Sequence, residues 1–231
     1  MAQHMKKMIF LTLIFCVHSA VASVIMVGTR VIVSSEANEK TVQFNNPDLQ
    51  PYIVEMKVDD RENAPFVVVP PVFRIEPHQG QTVRLISTPS AKTLPRDRES
   101  VFYLNFVQIP SIKASDRLTN QLIIAVNSRV KVFYRPDSLA GQQSNAFKSL
   151  RFTLADGKIL VQNPTGFHIS VSRARFVNSH QSTLLTNAVM LAPFSSTELS
   201  PAGKITSLRG GKVLLTQVND YGAYIEDEKD L

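Results

Sequence analysis

Beyond residue 22 the apolar positions recur mostly at every second residue, in short runs closed by Asn, Asp, Pro or Gly. The first series comprises Val24–Val33, Thr41–Phe44, Tyr52–Val58, Phe66–Val69, Thr82–Ile86, Val101–Ile109 and Leu122–Tyr134. Alternation of this kind puts every second side chain on one face of a strand, and seven such runs within about 110 residues predict an antiparallel sandwich. After Pro136 comes a second series: Leu150–Leu154, Lys158–Val161, Phe167–Val171, Leu184–Met190, Ser196–Leu199, Val213–Val218 and Ala223–Ile225. No segment carries an apolar stripe at helical spacing over three turns. Asp137–Lys148, rich in Gln, Ser and Asn, reads as the connection between the two series. The expectation is therefore an all-β chain of two sandwich domains in tandem, 23–137 and 138–231, each near the common domain size.

The first 22 residues follow a different rule. Lys6 and Lys7 precede an apolar run from Met8 to Val17, and small residues end at Ala20-Val21-Ala22. That is the layout of a secretory signal peptide, 1–22, with either Met1 or Met5 as its start. A run of ten apolar residues is too short for a membrane anchor, which needs about 20. Taking 22 residues from the 231 leaves 209 and removes the only cysteine, Cys16, so the mature chain is thiol-free in an oxidising compartment.

Composition narrows the function. With 44% hydrophobic and 19% charged residues the chain is globular rather than disordered. Loss of Lys6 and Lys7 lowers the formal charge from +6 to +4, too dispersed to argue for nucleic acid. His78, His168 and His180 have no metal-ligand spacing around them, and no G-x-S-x-G elbow, Walker loop or H-E-x-x-H is present. Nothing in the sequence supports catalysis, a cofactor or a metal.

Two features remain. In residues 121–135, Leu122, Ile124, Val126, Val130, Val132 and Tyr134 share one parity, and Gln121, Asn127, Arg129, Lys131 and Arg135 the other. This suits a strand with one face on a core, but Ile123 and Ala125 make Leu122–Val126 apolar on both sides, as in a central strand or a surface that meets a partner. Arg30 and Lys131 interrupt apolar strands: each is either an edge guard or, if the two meet, half of a carboxylate or phosphate site.

Several segments together resemble one family. Leu94-Pro95-Arg96-Asp97-Arg98-Glu99-Ser100-Val101-Phe102-Tyr103-Leu104-Asn105 with Ile109-Pro110, Val69-Pro70-Pro71-Val72-Phe73-Arg74-Ile75-Glu76-Pro77, and Lys131-Val132-Phe133-Tyr134-Arg135-Pro136 are similar to the signatures of periplasmic pilus chaperones of the chaperone–usher pathway. Asn163-Pro164-Thr165 and Asn219-Asp220-Tyr221-Gly222 continue the resemblance. Phe106 departs from it, standing where a smaller aliphatic residue is expected. The short connection from Pro110 to Leu122 is similar to that of the short-loop subclass.

The resemblance implies two immunoglobulin-like β-sandwich domains in a boomerang-like arrangement with a cleft between them. It implies that Arg30 and Lys131 anchor the C-terminal carboxylate of a pilus subunit, and that Leu122, Ile124 and Val126 are donor-strand residues that fill the subunit's open core. It further implies an inter-domain ionic network of Glu99, Arg135 and Asp220 and delivery of subunits to an outer-membrane usher. Separately, an uncovered apolar edge at Leu122–Val126 would invite self-association when no subunit is present. After signal cleavage no membrane insertion is expected. A structural pilus subunit or another secreted β-sandwich binding protein is the alternative; two complete strand sets in tandem, with Arg30 and Lys131 in chaperone motifs, argue against the pilus subunit. Lys131 has the opposite parity from the donor residues, so a bulge or strong local twist between Asn127 and Val130 is expected to turn it toward the cleft.

Overall fold

The computed structural model describes residues 23–59, 64–112, 120 and 122–231. The expected leader, with Cys16, and Gln121 lie outside the described residues. The first sandwich contains β1 (Ile25–Met26), β2 (Arg30–Ser34), β3 (Glu39–Asn45), β4 (Tyr52–Val58), β5 (Phe66–Val69), β6 (Val72–Ile75), β7 (Gly80–Ser87), β8 (Ser100–Pro110) and β9 (Val126–Arg135). The second contains β10 (Arg151–Ala155), β11 (Lys158–Asn163), β12 (Ile169–Val177), β13 (Ser182–Thr186), β14 (Val189–Leu191), β15 (Ser195–Leu199), β16 (Lys212–Val218) and β17 (Tyr224–Asp230).

Alternation drives the strands into place. In β4, Tyr52, Val54, Met56 and Val58 are buried while Ile53, Glu55 and Lys57 face out. The first domain packs a sheet of order β1-β3-β7-β5 against one of order β2-β9-β8-β4-β6. Its core is aromatic at the centre: Phe44 meets Phe106 edge-on with centroids 5.2 Å apart, and Phe73 at 6.1 Å. That edge-on contact accommodates Phe106, the residue that departs from the family pattern. In the second domain β10-β11-β15 faces β13-β12-β16-β17, with β14 also on β12. The Asp156-Gly157 turn, with φ of 52° and 76°, joins β10 to β11 as the left-handed pair that a two-residue hairpin needs.

Three expectations change. The connection Asp137–Lys148 is not a plain linker: it contains a 3-10 turn at Asp137–Leu139 and one turn of helix, α1 (Gln143–Ala146), and Ala146 and Phe147 enter the second core. The last strand runs on past Ile225 to Asp230, pairing with β16 throughout. The run expected as one strand from Leu122 begins its pairing only at Val126, opposite Gln108; Ile109 and Pro110, the last residues of β8, pair with β4 but not with this segment.

One crossing positions everything that follows. The chain leaves β1, which pairs with β3 in one sheet, turns at Gly28 with φ of 95°, and enters β2, which runs parallel to β9 in the other sheet. Their register begins at Arg30 opposite Lys131.

Phe44→Ala should cost the first domain about 3–5 kcal/mol through the cavity left between two rings. Denaturant unfolding should show the first domain's transition moved and the second domain's unchanged.

Candidate functional site at the domain junction

Because β2 and β9 are parallel and paired residue for residue, Arg30 and Lys131 stand side by side on one face of the sheet. Val31, Val33, Val132 and Tyr134 occupy the opposite, core-facing side. No register shift interrupts β8–β9, so the expected bulge is absent. Lys131 therefore shares the face of Phe133 and Arg135, and the parity of Val126 carries Val130, Val132 and Tyr134 to the core side. Register with Arg30, not a bulge, brings the two cations together.

The outer face of a strand is ordinarily wet, yet Phe133 is only 2% exposed. The second domain covers it: the His168 ring lies 5.6 Å from its centroid. The Arg30 guanidinium stands 5.7 Å from the same ring and donates from Nη1 to the carbonyl of Val218 at 2.9 Å. Its Nε is buried without a partner. Among the described residues, no carboxylate lies at ion-pair distance from Arg30 or Lys131. Burial lowers the Arg30 pKa, partly offset by Asp220 and Glu99. Lys131 is also lowered, first by burial and then by the neighbouring Arg30 charge. Two partly desolvated cations without a counter-ion, one with an unused buried donor, have the chemistry to receive an oxyanion.

Beside this pair, Arg135 closes the junction. Its Nε donates to Glu99 Oε1 at 2.7 Å, and its Nη1 and Nη2 grip Asp220 of the second domain at 2.6 and 2.8 Å. Glu99, 3% exposed, also accepts the backbone N–H of His168 through Oε2 at 2.8 Å. Burial alone would lower the Arg135 pKa, but bonds to Asp220 and Glu99 raise it overall. Arg98 stacks over Phe194 at 4.9 Å, and Glu99 N–H donates to Gly166, so the Arg98–Glu99 corner is tied to the second domain twice more.

The third group is a segment rather than a cluster. Leu122, Ile123, Ile124 and Val126 are 87%, 47%, 64% and 40% exposed. β8 covers one edge of β9 only up to Val126, and β2 covers the other only from Lys131 onward. The stretch from Val126 to Val130 thus has one open edge, and Leu122–Ala125 pairs on neither side.

The structure brings together the pairs the resemblance implied, Arg30 with Lys131 and Arg135 with Glu99 and Asp220, while Leu122 and Ile124 lie on an exposed unpaired segment and Val126 begins β9, where one continuous strand was expected. Sequence reasoning misses Phe133, His168 and Val218. Phe133 left a trace, since an aromatic on the polar parity of β9 signals a covered face. Among the described residues, no group of three or more His, Cys, Asp or Glu gathers as a metal site.

Residues 23–140 match the family model for the pili and flagellar-assembly chaperone, PapD N-terminal domain, and residues 145–229 match the PapD C-terminal domain. The chain belongs to the pilus-assembly chaperone family. It is 32% identical to the probable fimbrial chaperone YadV of Escherichia coli K12, over 97% of this chain and 96% of that one. It is 35% identical to the chaperone protein HifB of Haemophilus influenzae, over 96% and 95%. The crystal structure of the YadV chaperone superposes with a TM-score of 0.79 at 33% identity, covering 91% of this chain and all of that one. The Salmonella enterica SafA pilin complex with the SafB chaperone gives 0.74 at 25% identity, covering 93% and 99%.

In this pilus-assembly chaperone, Arg135→Ala leaves the Glu99 carboxylate buried without its cation and should cost about 3–5 kcal/mol. Small-angle scattering should show altered domain spacing while circular dichroism stays β. For Lys131 the folded pKa lies below the unfolded value, so the folded chain binds fewer protons just below pH 10.5 and stability rises with pH across that window. Lys131→Met should therefore raise the melting temperature at neutral pH and abolish this rise.

Proposed function

We propose that the chain is a periplasmic chaperone that folds and caps pilus subunits by lending them a strand, then delivers them to an outer-membrane usher. The observation that carries this reading is the open edge of β9, which ends where β2 begins, at Arg30 beside Lys131. A guest strand laid along that edge lies end to end with β2. With its terminal carboxylate at Arg30 and Lys131 it runs in the direction of β2, parallel to β9. Pinning the terminus fixes register, since a slip by one residue would turn every side chain to the wrong face.

Leu122, Ile124 and Val126 would then enter the guest's unfinished core. Each such side chain contributes about 1.5–3 kcal/mol on burial, before the entropy of association. The SafA pilin in complex with the SafB chaperone supports a subunit as the guest. The signal-peptide pattern of residues 1–22 supports the periplasm. Without a guest, the same edge suits a second copy of the chain.

Co-expression in the periplasm with candidate pilus subunits tests the proposal. Arg30→Ala, Lys131→Ala and Ile124→Asp should each abolish recovery of soluble subunit while the chaperone itself stays folded. Undiminished recovery with Arg30→Ala and Lys131→Ala combined would overturn the anchoring role.

A further inference from the structure

The end of β16 and its turn into β17 touch the first domain at three alternate residues. Val218 supplies the carbonyl that accepts from Arg30 Nη1, Asp220 takes the Arg135 fork, and Gly222 lies directly on Thr29, the residue before Arg30. A Cβ at Gly222 would overlap the Thr29 hydroxyl and stand 3.3 Å from its Cβ. The turn is held stiff from within: Asn219 Oδ1 accepts from Tyr221 N–H at 3.0 Å and Ala223 N–H at 2.9 Å, and Gly222 N–H donates to Asn219 carbonyl at 3.0 Å. A stiff turn seated on Thr29 sets the distance from Val218 to Arg30. It thereby aims the guanidinium whose Nε is left unused.

We propose that Gly222 is a positioning residue: its lack of a side chain lets the β16–β17 turn seat on Thr29 and orient Arg30 for a carboxylate. The anion site is then built by both domains, although both of its cations belong to the first. This rests on the carboxylate-anchoring reading, and the two can be separated. Gly222 also has φ of 84°, so Gly222→Ala strains the turn whatever the neighbouring space. Thr29→Ala combined with Gly222→Ala removes the hydroxyl and methyl in the way but leaves that strain.

The experiment uses the mature chain with spin labels at Val67→Cys and Ser196→Cys, both exposed, in a chain whose only cysteine is Cys16. Inter-label distances of the free protein should be narrow in the parent, shifted or broadened with Gly222→Ala, and restored in the Thr29→Ala/Gly222→Ala pair. An unchanged distribution with Gly222→Ala, or no restoration in the pair, overturns the seating. The second readout is binding of an alternating Val-Thr heptapeptide with a free C-terminal carboxylate against its C-terminal amide. Gly222→Ala should reduce the preference for the free acid about tenfold, and the pair should recover it. An unreduced preference overturns the orienting of Arg30. Equal binding of acid and amide by the parent overturns the carboxylate site itself and leaves the distance series to judge the turn.

Discussion

The late arrival of β2 beside β9 is the constraint on which the rest depends. Had the first strand stayed in one sheet, it would have covered β9 along its length. Because the chain spends Ile25–Met26 against β3 and crosses at Gly28, it reaches β9 only at Lys131. One geometric event leaves Val126–Val130 with a bare edge and places a cation at the point where that edge stops. The open strand and the paired cations are two results of the same crossing.

The junction supplies what the crossing cannot. Two neighbouring cations repel and are costly to desolvate, so a flexible cleft would let them turn outward to water. The second domain prevents this by covering Phe133 with His168, holding Arg30 through Val218, and locking Arg135 between Glu99 and Asp220. Such buried ionic contacts contribute orientation more than net stability.

Alternation made the inner strands legible: Tyr52–Val58 faces a core on one side and water on the other, and its residue types say so. It failed where a strand lacks such a contrast. Glu226–Asp230 is an edge with polar groups on both faces, so its extent left no apolar signal. In Asp137–Lys148 polar neighbours hid Ala146 and Phe147, whose burial depends on the second core above them. Leu122–Ala125 looked like strand because its residues favour one, although no partner pairs with it. The ionic network was reachable only through motif resemblance, because Glu99 and Asp220 lie 36 and 85 residues from Arg135 and no local period links them.

The character of β17 bears on how copies of this molecule can assemble. It is the longest edge strand of the second domain, and Glu226, Asp227, Glu228, Lys229 and Asp230 line it with charge. Charge of this kind makes β17 a poor template for a strand from another chain. Strand addition is thereby discouraged along β17 and left open at Val126–Val130 of the first domain.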